Sequence, residues 1–297
     1  MIVLPQLFMM FAIAGIGVML RRRGVITDPV IKGLSDIVTL ATNPALLISV
    51  TQYEYTPRTL VNFLHVLWMG TVTLAFVMVA VYALCRRQDE RTRPVVALVS
   101  ALPNAGFMGL PIIRAMYGAD GALYLAAMIV AFNLVIWTVG IALIDRSRFT
   151  LRRMFNPGFI ASLIGMALFL LNVNLPDFLD APLDSLAAVN TPLAMLVLGA
   201  RLKLPDARSL ASGNSLLIAA VKLAAMPLIA LGLSAAFHLD PVASGALVIA
   251  SAMPSAIMGQ MVAEQYDRDA ALAAQSVSVT SVLSLATIPL IAMLLGG

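Results

Sequence analysis

Charged side chains are scarce in this sequence. Only 11% of its 297 residues are Asp, Glu, Lys or Arg, whereas soluble domains contain about 25%. Hydrophobic residues make up 61%, and the mean hydropathy is +0.95. This composition excludes a soluble domain and predicts a protein of the lipid bilayer. The net charge of +4 does not indicate a nucleic-acid partner, because basic residues in such a chain orient its apolar helices.

Reactive and metal-binding side chains are also rare. The single cysteine, Cys85, excludes an intrachain disulfide, and the chain has only two histidines. The sequence contains no H-E-x-x-H motif and no pair of carboxylates within an apolar segment. An intramembrane enzyme needs a nucleophile with its base, or a set of metal ligands. We therefore expect no enzymatic activity, no metal and no cofactor.

Long apolar runs, separated by charges, prolines and polar clusters, are what the sequence does contain. The runs are about 20 residues long, which is the length needed to cross about 30 Å of hydrocarbon. We predict an all-α membrane protein with ten spanning helices. The predicted spans are 2–20, 29–51, 59–85, 93–116, 120–144, 156–173, 182–201, 213–237, 240–264 and 269–295.

The basic residues predict how these spans are oriented. Sixteen of the 18 Lys and Arg residues in loops and at helix ends lie on one side, while Arg58 and Arg114 lie on the other. The side rich in Lys and Arg is normally cytoplasmic. We therefore predict a multi-pass protein of the bacterial inner membrane, with both termini outside.

Three short segments recur in the same order in the two halves of the chain. ALPNA, which contains Pro103, matches AMPSA, which contains Pro254, 151 residues later. TNPALLI matches NTPLAML after 148 residues, and YGADGAL matches YDRDAAL after 149. Such self-similarity is the mark of an internal repeat. Because each half has an odd number of spans, the sequence predicts two inverted five-helix repeats, residues 1–148 and 149–297.

Prolines interrupt corresponding spans of the two repeats, and we also expect a broken turn beside Pro192 in span 7. A proline lacks an N–H group and clashes with the preceding turn, so a helix can break there. Inverted repeats with such interruptions are typical of secondary transporters, which bind their substrate near the membrane midplane. We predict that spans 4 and 9 break at Pro103 and Pro254.

The residues also resemble a known family. LPNAGFMGLPIIRAMYG, residues 102–118, resembles the fourth-helix signature of the auxin efflux carrier family. That family includes plant PIN-type auxin exporters and bacterial malonate or malate carriers. SAMPSAIMGQMVAEQYDRDAALAAQSVSVTSVLSLATIPL, residues 251–290, is similar to its last two helices, and NTPLAMLVLGARL, residues 190–202, to its seventh.

This resemblance implies ten helices in two inverted repeats, an architecture like that of sodium/proton antiporters or bile-acid symporters. It implies that helices 4 and 9 cross where Pro103 and Pro254 break them. Two helix N-termini meeting at such a crossing would favour a small organic anion, in particular a carboxylate. The resemblance also implies that a transport group of helices moves against a scaffold. Only a short loop joins spans 5 and 6, so the chain resembles the short bacterial members rather than the plant exporters.

Polar residues beside the prolines are the candidate substrate-binding residues. They are Pro103, Asn104, Pro254 and Ser255 on spans 4 and 9, Thr42 and Asn43 on span 2, and Asn190 and Thr191 on span 7. An asparagine side chain both donates and accepts, so it can hold a carboxylate or an indole N–H. The alternative is that these amides only cap or bridge helices, as polar residues often do in membranes. We assign Asn133 either to helix packing or to the lining of a wet interface with the scaffold.

Two ionisable residues are candidates for ion coupling or anion attraction. Lys222 lies within span 8, where it can attract anions, pair with Asp36 or extend its amine to the membrane surface. Asp36, eight residues before Pro44, is a candidate carrier of a coupling proton. Proton or sodium coupling and assembly into a homodimer both remain open at this stage.

The function that the sequence predicts is secondary transport of a small organic anion by alternating access. The candidate substrates are carboxylates such as malonate or malate, or an auxin-like indole acid. The family resemblance implies that spans 3, 4, 5, 8, 9 and 10 move against spans 1, 2, 6 and 7. An anion channel, or a membrane sensor that does not transport, is the alternative on the same fold.

Overall fold

Helices form nearly all of the structure, a computed structural model that describes residues 3–53, 55–145, 155–202 and 212–296. The α-helices in these ranges are α1 (Val3–Arg22), α2 (Asp28–Ile37), α3 (Asn43–Ser49), α4 (Pro57–Leu84), α5 (Arg93–Ala101), α6 (Leu110–Val135), α7 (Ile141–Ile144), α8 (Pro157–Leu170), α9 (Asp177–Arg201), α10 (Gly213–Ala220), α11 (Met226–Ala236), α12 (Pro241–Ala252), α13 (Ile257–Gln265) and α14 (Ala270–Leu294). Short π-helical turns connect several of them, at Val38–Thr42, Ala105–Gly109, Ile136–Gly140 and Val221–Ala225.

Six helical stretches in the described residues are long and apolar enough to cross a bilayer. They are Val3–Arg22, Pro57–Leu84, Ala105–Ile144, Asp177–Arg201, Gly213–Ala236 and Ala270–Leu294. Large apolar side chains such as Phe8, Phe76 and Leu228 lie exposed on them, as expected for surfaces that face lipid. The length and the apolar surface of these helices are therefore those of a multi-pass membrane protein. The ten-span count stays a prediction, because the other apolar helices are short or interrupted.

The stretch Ala105–Ile144 is not one straight helix. Gly118 has φ 66° and ψ −148° within it, a conformation that only glycine adopts readily. The chain turns at this residue, between predicted spans 4 and 5. The basic residues of two predicted cytoplasmic loops lie outside the described residues: Arg146, Arg148, Arg152, Arg153, Lys203 and Arg208.

The helices pack in two groups. The first group contains α1, α2, α3, α8 and α9, which contact one another extensively. The second contains α4 to α7 and α10 to α14, with its densest packing between α4 and α6 and between α6 and α12. Contacts between the groups are sparser, for instance between α6 and α1 and between α6 and α8. These groups coincide with the helices of spans 1, 2, 6 and 7 and with those of the other six predicted spans.

Glycines allow α1 and α9 to approach each other closely in the first group. A Cβ atom added at Gly199 would lie 1.8 Å from the carbonyl oxygen of Ala14, and one at Gly17 would lie 2.3 Å from that of Leu196. Both distances are far below van der Waals contact. Small residues commonly permit such backbone approach between membrane helices, so the two glycines fix how tightly this group packs.

We expect Gly199→Ala to destabilise the folded protein, because its methyl group would force α1 and α9 apart. Inserting a methyl group into a close contact typically costs about 1–3 kcal/mol. Thermal unfolding of the purified protein in detergent should show a lower midpoint than for the unsubstituted protein. Gly15→Ala is the matched control on α1, where an added Cβ meets nothing within 4 Å. Equal midpoints for the two variants would contradict this account of the packing.

Candidate functional site

Two helices are interrupted in the middle of the second group. Helix α5 ends at Ala101, and the next helical turn begins at Ala105. Helix α12 ends at Ala252, and α13 begins at Ile257. Each gap contains a proline, Pro103 or Pro254, whose missing N–H leaves a carbonyl in the preceding turn without its helical donor. The predicted interruption of both helices at these prolines is therefore present.

The two interrupted segments lie side by side and run antiparallel. The N–H of Asn104 donates to the carbonyl of Pro254 at 2.7 Å, and the N–H of Ala256 donates to the carbonyl of Leu102 at 3.0 Å. Pro103 and Ser255 are paired as in an antiparallel ladder. Each break therefore provides hydrogen-bond partners for backbone groups of the other. Unwound backbone needs such partners in an interior of low dielectric constant.

Ser255 supplies a further hydrogen bond that the first proline makes necessary. In a continuous helix the N–H of residue 103 would donate to the carbonyl of Val99. Pro103 has no N–H, and the hydroxyl of Ser255 donates to that carbonyl instead, at 2.7 Å. The N–H of Ser255 in turn donates to Oγ1 of Thr280 on α14 at 3.1 Å. Ser255 is fully buried, so its role in the structure is to hold the two breaks together.

A cavity with about 920 Å³ of empty space, including its mouth, opens beside the breaks. We call it the arginine-side cavity, because it lies toward the end of the molecule at which α1 finishes with Arg21 and Arg22. Its wall residues are Ser35, Val38, Thr39, Asn43, Pro103, Asn104, Ala105, Gly106, Phe107, Ile129, Phe132, Asn133, Asn156, Gly158, Ala194, Val197, Ala256, Ile257, Met258 and Met261. The first turns after both breaks, beginning at Ala105 and Ile257, are thus part of one wall.

Amide groups provide most of the polarity of this cavity. Asn43, Asn104, Asn133 and Asn156 all line it, and none of its described wall residues carries a charge. The Nδ2 of Asn104 is buried and has no hydrogen-bond partner among the described residues. An unpaired buried donor costs about 1–3 kcal/mol, so this amide is suited to a bound acceptor. The remaining wall is largely apolar and includes two phenylalanines.

A second cavity lies on the opposite side of the breaks, and we call it the far-side cavity. Its wall residues are Leu46, Ser49, Leu110, Pro111, Arg114, Asp184, Ala187, Ala188 and Thr191. Successive parts of the same three chain segments line the two cavities: the segment through α2 and α3, the segment through α5 and α6, and α9. The two cavities therefore lie one after the other along the helix axes.

The predicted binding residues divide between these features. Pro103, Asn104 and Asn43 line the arginine-side cavity, and Thr191 lines the far-side cavity. Pro254 and Ser255 belong to the paired breaks behind the wall.

Thr42 and Asn190 contact each other, since Oγ1 of Thr42 donates to Oδ1 of Asn190 at 2.8 Å. Both side chains are buried, and the Nδ2 of Asn190 has no partner among the described residues. The unwinding expected beside Pro192 does not occur, because α9 runs through that proline from Asp177 to Arg201. A helix can absorb a single proline as a kink when neighbouring helices pack against it.

The two ionisable candidates lie away from the cavity. Asp36 is exposed at the surface of α2 and is not a wall residue of the arginine-side cavity. Lys222 is fully buried and does not extend to the membrane surface. Its Nζ donates to the carbonyl of Ser251 at 3.0 Å and contacts Sδ of Met226 at 3.1 Å. The expected pairing with Asp36 is not among the ion pairs of the described residues.

Sequence reasoning missed part of the cavity wall. Asn133 was not among the predicted binding residues; its Nδ2 donates to the carbonyl of Ile129 at 3.0 Å, and the residue also lines the cavity. Asn156 caps the N-terminus of α8 through the N–H of Phe159 and lines the cavity as well. An asparagine within an otherwise apolar span was the available signal for Asn133. Asn156 has the ordinary pattern of a helix cap, which gives no such signal.

Comparison with known proteins identifies the family. The model of a family described as membrane transport protein matches residues 2–150 and again residues 146–292. The chain belongs to this family, the auxin efflux carrier family. An uncharacterized transporter of Methanocaldococcus jannaschii is 26% identical over 280 residues, which cover 90% of each chain. An uncharacterized transporter of Methanothermobacter thermautotrophicus is 26% identical over 231 residues, 76% of each chain. Membership indicates a membrane transporter rather than an enzyme.

We expect Ser255→Ala to destabilise the protein, because the carbonyl of Val99 would lose its donor in a buried place. Leaving such a group unpaired costs about 1–3 kcal/mol, so the thermal midpoint in detergent should fall. Ser185→Ala is the control, since the hydroxyl of Ser185 donates to a carbonyl of its own helix on an exposed face. If Ser255→Ala unfolds at the midpoint of the control, the hydroxyl does not support the break.

Proposed function

We propose that the protein is a secondary transporter for small carboxylates with one charge and an apolar body. The observation that carries the proposal is the arginine-side cavity, where two helix starts and the unpaired amide of Asn104 face one apolar space. The fold we assign to it is ten spans in two inverted repeats, residues 1–148 and 149–297, with crossed helices at the breaks. The paired breaks and the two matches of the family model support this assignment.

The helix starts favour an anion. The first turn of a helix has N–H groups without helical acceptors, and its dipole is positive at that end. Two such turns, beginning at Ala105 and Ile257, line the cavity. A carboxylate is an acceptor that such N–H groups and the Nδ2 of Asn104 can hold together through charge-assisted hydrogen bonds.

The walls favour a monocarboxylate with an apolar body over malonate or malate. Phe107, Phe132 and Met258 present apolar surface, and none of the described wall residues is positively charged. A second carboxylate would be desolvated there without a compensating cation, which is unfavourable in a low-dielectric site. An aryl acid places its ring against the apolar wall and its single charge at the helix starts.

The two cavities support alternating access. Contacts between the helix groups separate the arginine-side cavity from the far side: the hydroxyl of Tyr53 donates to Asp120, and Leu46 and Leu47 pack near Leu110 around a small apolar space. If the arginine-rich loops are cytoplasmic, this conformation is open toward the cytoplasm. Movement of the second group against the first would close this side and open the far-side cavity. A channel would need both sides open at once, so a carrier fits these contacts better.

We expect Asn104→Ala to abolish transport while the protein still folds, because the variant loses the amide that faces the substrate. Counterflow of labelled phenylacetate into proteoliposomes would measure this. Asn62→Ala is the matched control: Asn62 is also buried, but its Nδ2 donates to the hydroxyl of Tyr124 at 3.3 Å, outside the cavity wall. Saturable flux in the control with none in Asn104→Ala is the expected result. Unchanged flux in Asn104→Ala would place the site elsewhere, and linear flux in the unsubstituted protein would indicate a channel.

We also expect a cysteine in the cavity to react from the arginine side. The probe is Thr39→Cys in a Cys85→Ser background, since Thr39 lines the cavity. A membrane-impermeant maleimide should label it readily in inside-out vesicles and slowly in right-side-out vesicles. Asp120→Asn, which weakens the acceptor of the Tyr53 hydroxyl, should raise labelling from the far side.

Ser185→Cys, on an exposed face of α9, is the control for access from the far side. Fast labelling of Thr39→Cys from both sides before Asp120 is changed would contradict closure of the far side.

A further inference from the structure

Lys222 is a fully buried basic side chain next to one of the two breaks, since its Nζ reaches the carbonyl of Ser251. A charged group inside a membrane protein is costly and is usually functional. In a continuous helix the carbonyl of Ser251 would accept from the N–H of Ser255. That N–H donates to Thr280 instead, and the Nζ of Lys222 donates to the carbonyl of Ser251 at 3.0 Å. The break thus leaves free the carbonyl that accepts from the Nζ of Lys222.

The two breaks are capped unequally. At the end of α5, the carbonyl of Val99 accepts from the neutral hydroxyl of Ser255. At the end of α12, the carbonyl of Ser251 accepts from the ammonium of Lys222. The residues 148 to 151 positions before Lys222, which are Thr71 to Leu74, carry no charge. A basic side chain therefore lies at one of the two breaks only, and hydrogen bonding alone does not require it, since a hydroxyl suffices at the other break.

Lys222 does not line either cavity. Its partner Ser251 is five residues before Ala256, which lines the arginine-side cavity directly after the break. A charge buried behind the cavity wall acts through a medium of low dielectric constant and is screened little by salt. Met226, its other described contact, is a neutral thioether, so the charge is not neutralised by that contact.

We propose that Lys222 is a positioning residue whose ammonium supplies the positive charge that the arginine-side cavity lacks. It holds the end of α12 at the break, and its charge makes the cavity prefer a carboxylate over a neutral ligand of the same shape. This proposal rests on the proposed binding of monocarboxylates in that cavity.

The test compares phenylacetate with phenylacetamide, which have the same shape but differ in charge. Their dissociation constants would be measured by calorimetry on the purified protein. Lys222→Gln keeps a hydrogen-bond donor for the carbonyl of Ser251 but removes the charge, and Lys222→Met removes both. A unit charge acting over a distance on the order of 10 Å at an effective dielectric constant of about 20 corresponds to about a tenfold change in affinity.

We expect Lys222→Gln to weaken phenylacetate binding about tenfold and to leave phenylacetamide binding unchanged, while Lys222→Arg retains the preference for phenylacetate. Lys32→Met, which removes an exposed charge from α2, should change neither constant. If Lys222→Gln weakens the binding of both ligands equally, Lys222 is only a structural cap and the proposal is overturned. An unchanged dissociation constant for both ligands would also overturn it. If the unsubstituted protein binds neither ligand, the proposed substrate class fails first, and that result is distinct from an effect of Lys222.

Discussion

The rest of this structure depends on the need to satisfy backbone polar groups at two prolines inside the protein. Pro103 and Pro254 each remove a donor where water cannot replace it, and the carbonyls in the preceding turns need other partners. Each break supplies partners to the other. Two backbone hydrogen bonds join them, and the hydroxyl of Ser255 donates to the carbonyl of Val99. Helix starts that would otherwise lie far apart are thereby brought to a common cavity wall.

The sequence was sufficient to locate both breaks because proline acts locally. Its missing N–H always removes one helical hydrogen bond, wherever the helix packs. The all-α membrane class followed equally directly from composition, and Gly118 lies at the boundary predicted between spans 4 and 5. The interruption expected beside Pro192 was wrong, since α9 continues through that residue. A single proline in a helix has two outcomes, a kink or a break, and the choice depends on packing partners that the sequence alone does not give.

The site itself was predictable only in part. Asn104 follows its proline directly, so its place in the cavity wall could be inferred, whereas Asn156 reaches the same wall from the start of α8. Lys222 is the clearest example of a role that the sequence alone does not predict. Its position in span 8 allowed the amine to extend to the surface, but its actual partner is a carbonyl released by a break 29 residues away in sequence. Contacts between distant segments decide such roles, and neither periodicity nor motif spacing encodes them.

The proposed site combines the backbone dipoles of two helix starts with the unpaired amide of Asn104 and, behind the wall, the charge of Lys222. The rest of the cavity is apolar. The central claim is that a carboxylate binds at the two helix starts. An electron cryomicroscopy structure of the protein in lipid nanodiscs with phenylacetate tests this most directly. The account predicts density for the ligand in the arginine-side cavity, with its carboxylate within hydrogen-bonding distance of the Nδ2 of Asn104 and its ring toward Phe107 and Phe132. Ligand density in the far-side cavity alone, or breaks that do not pair in the experimental map, would contradict it.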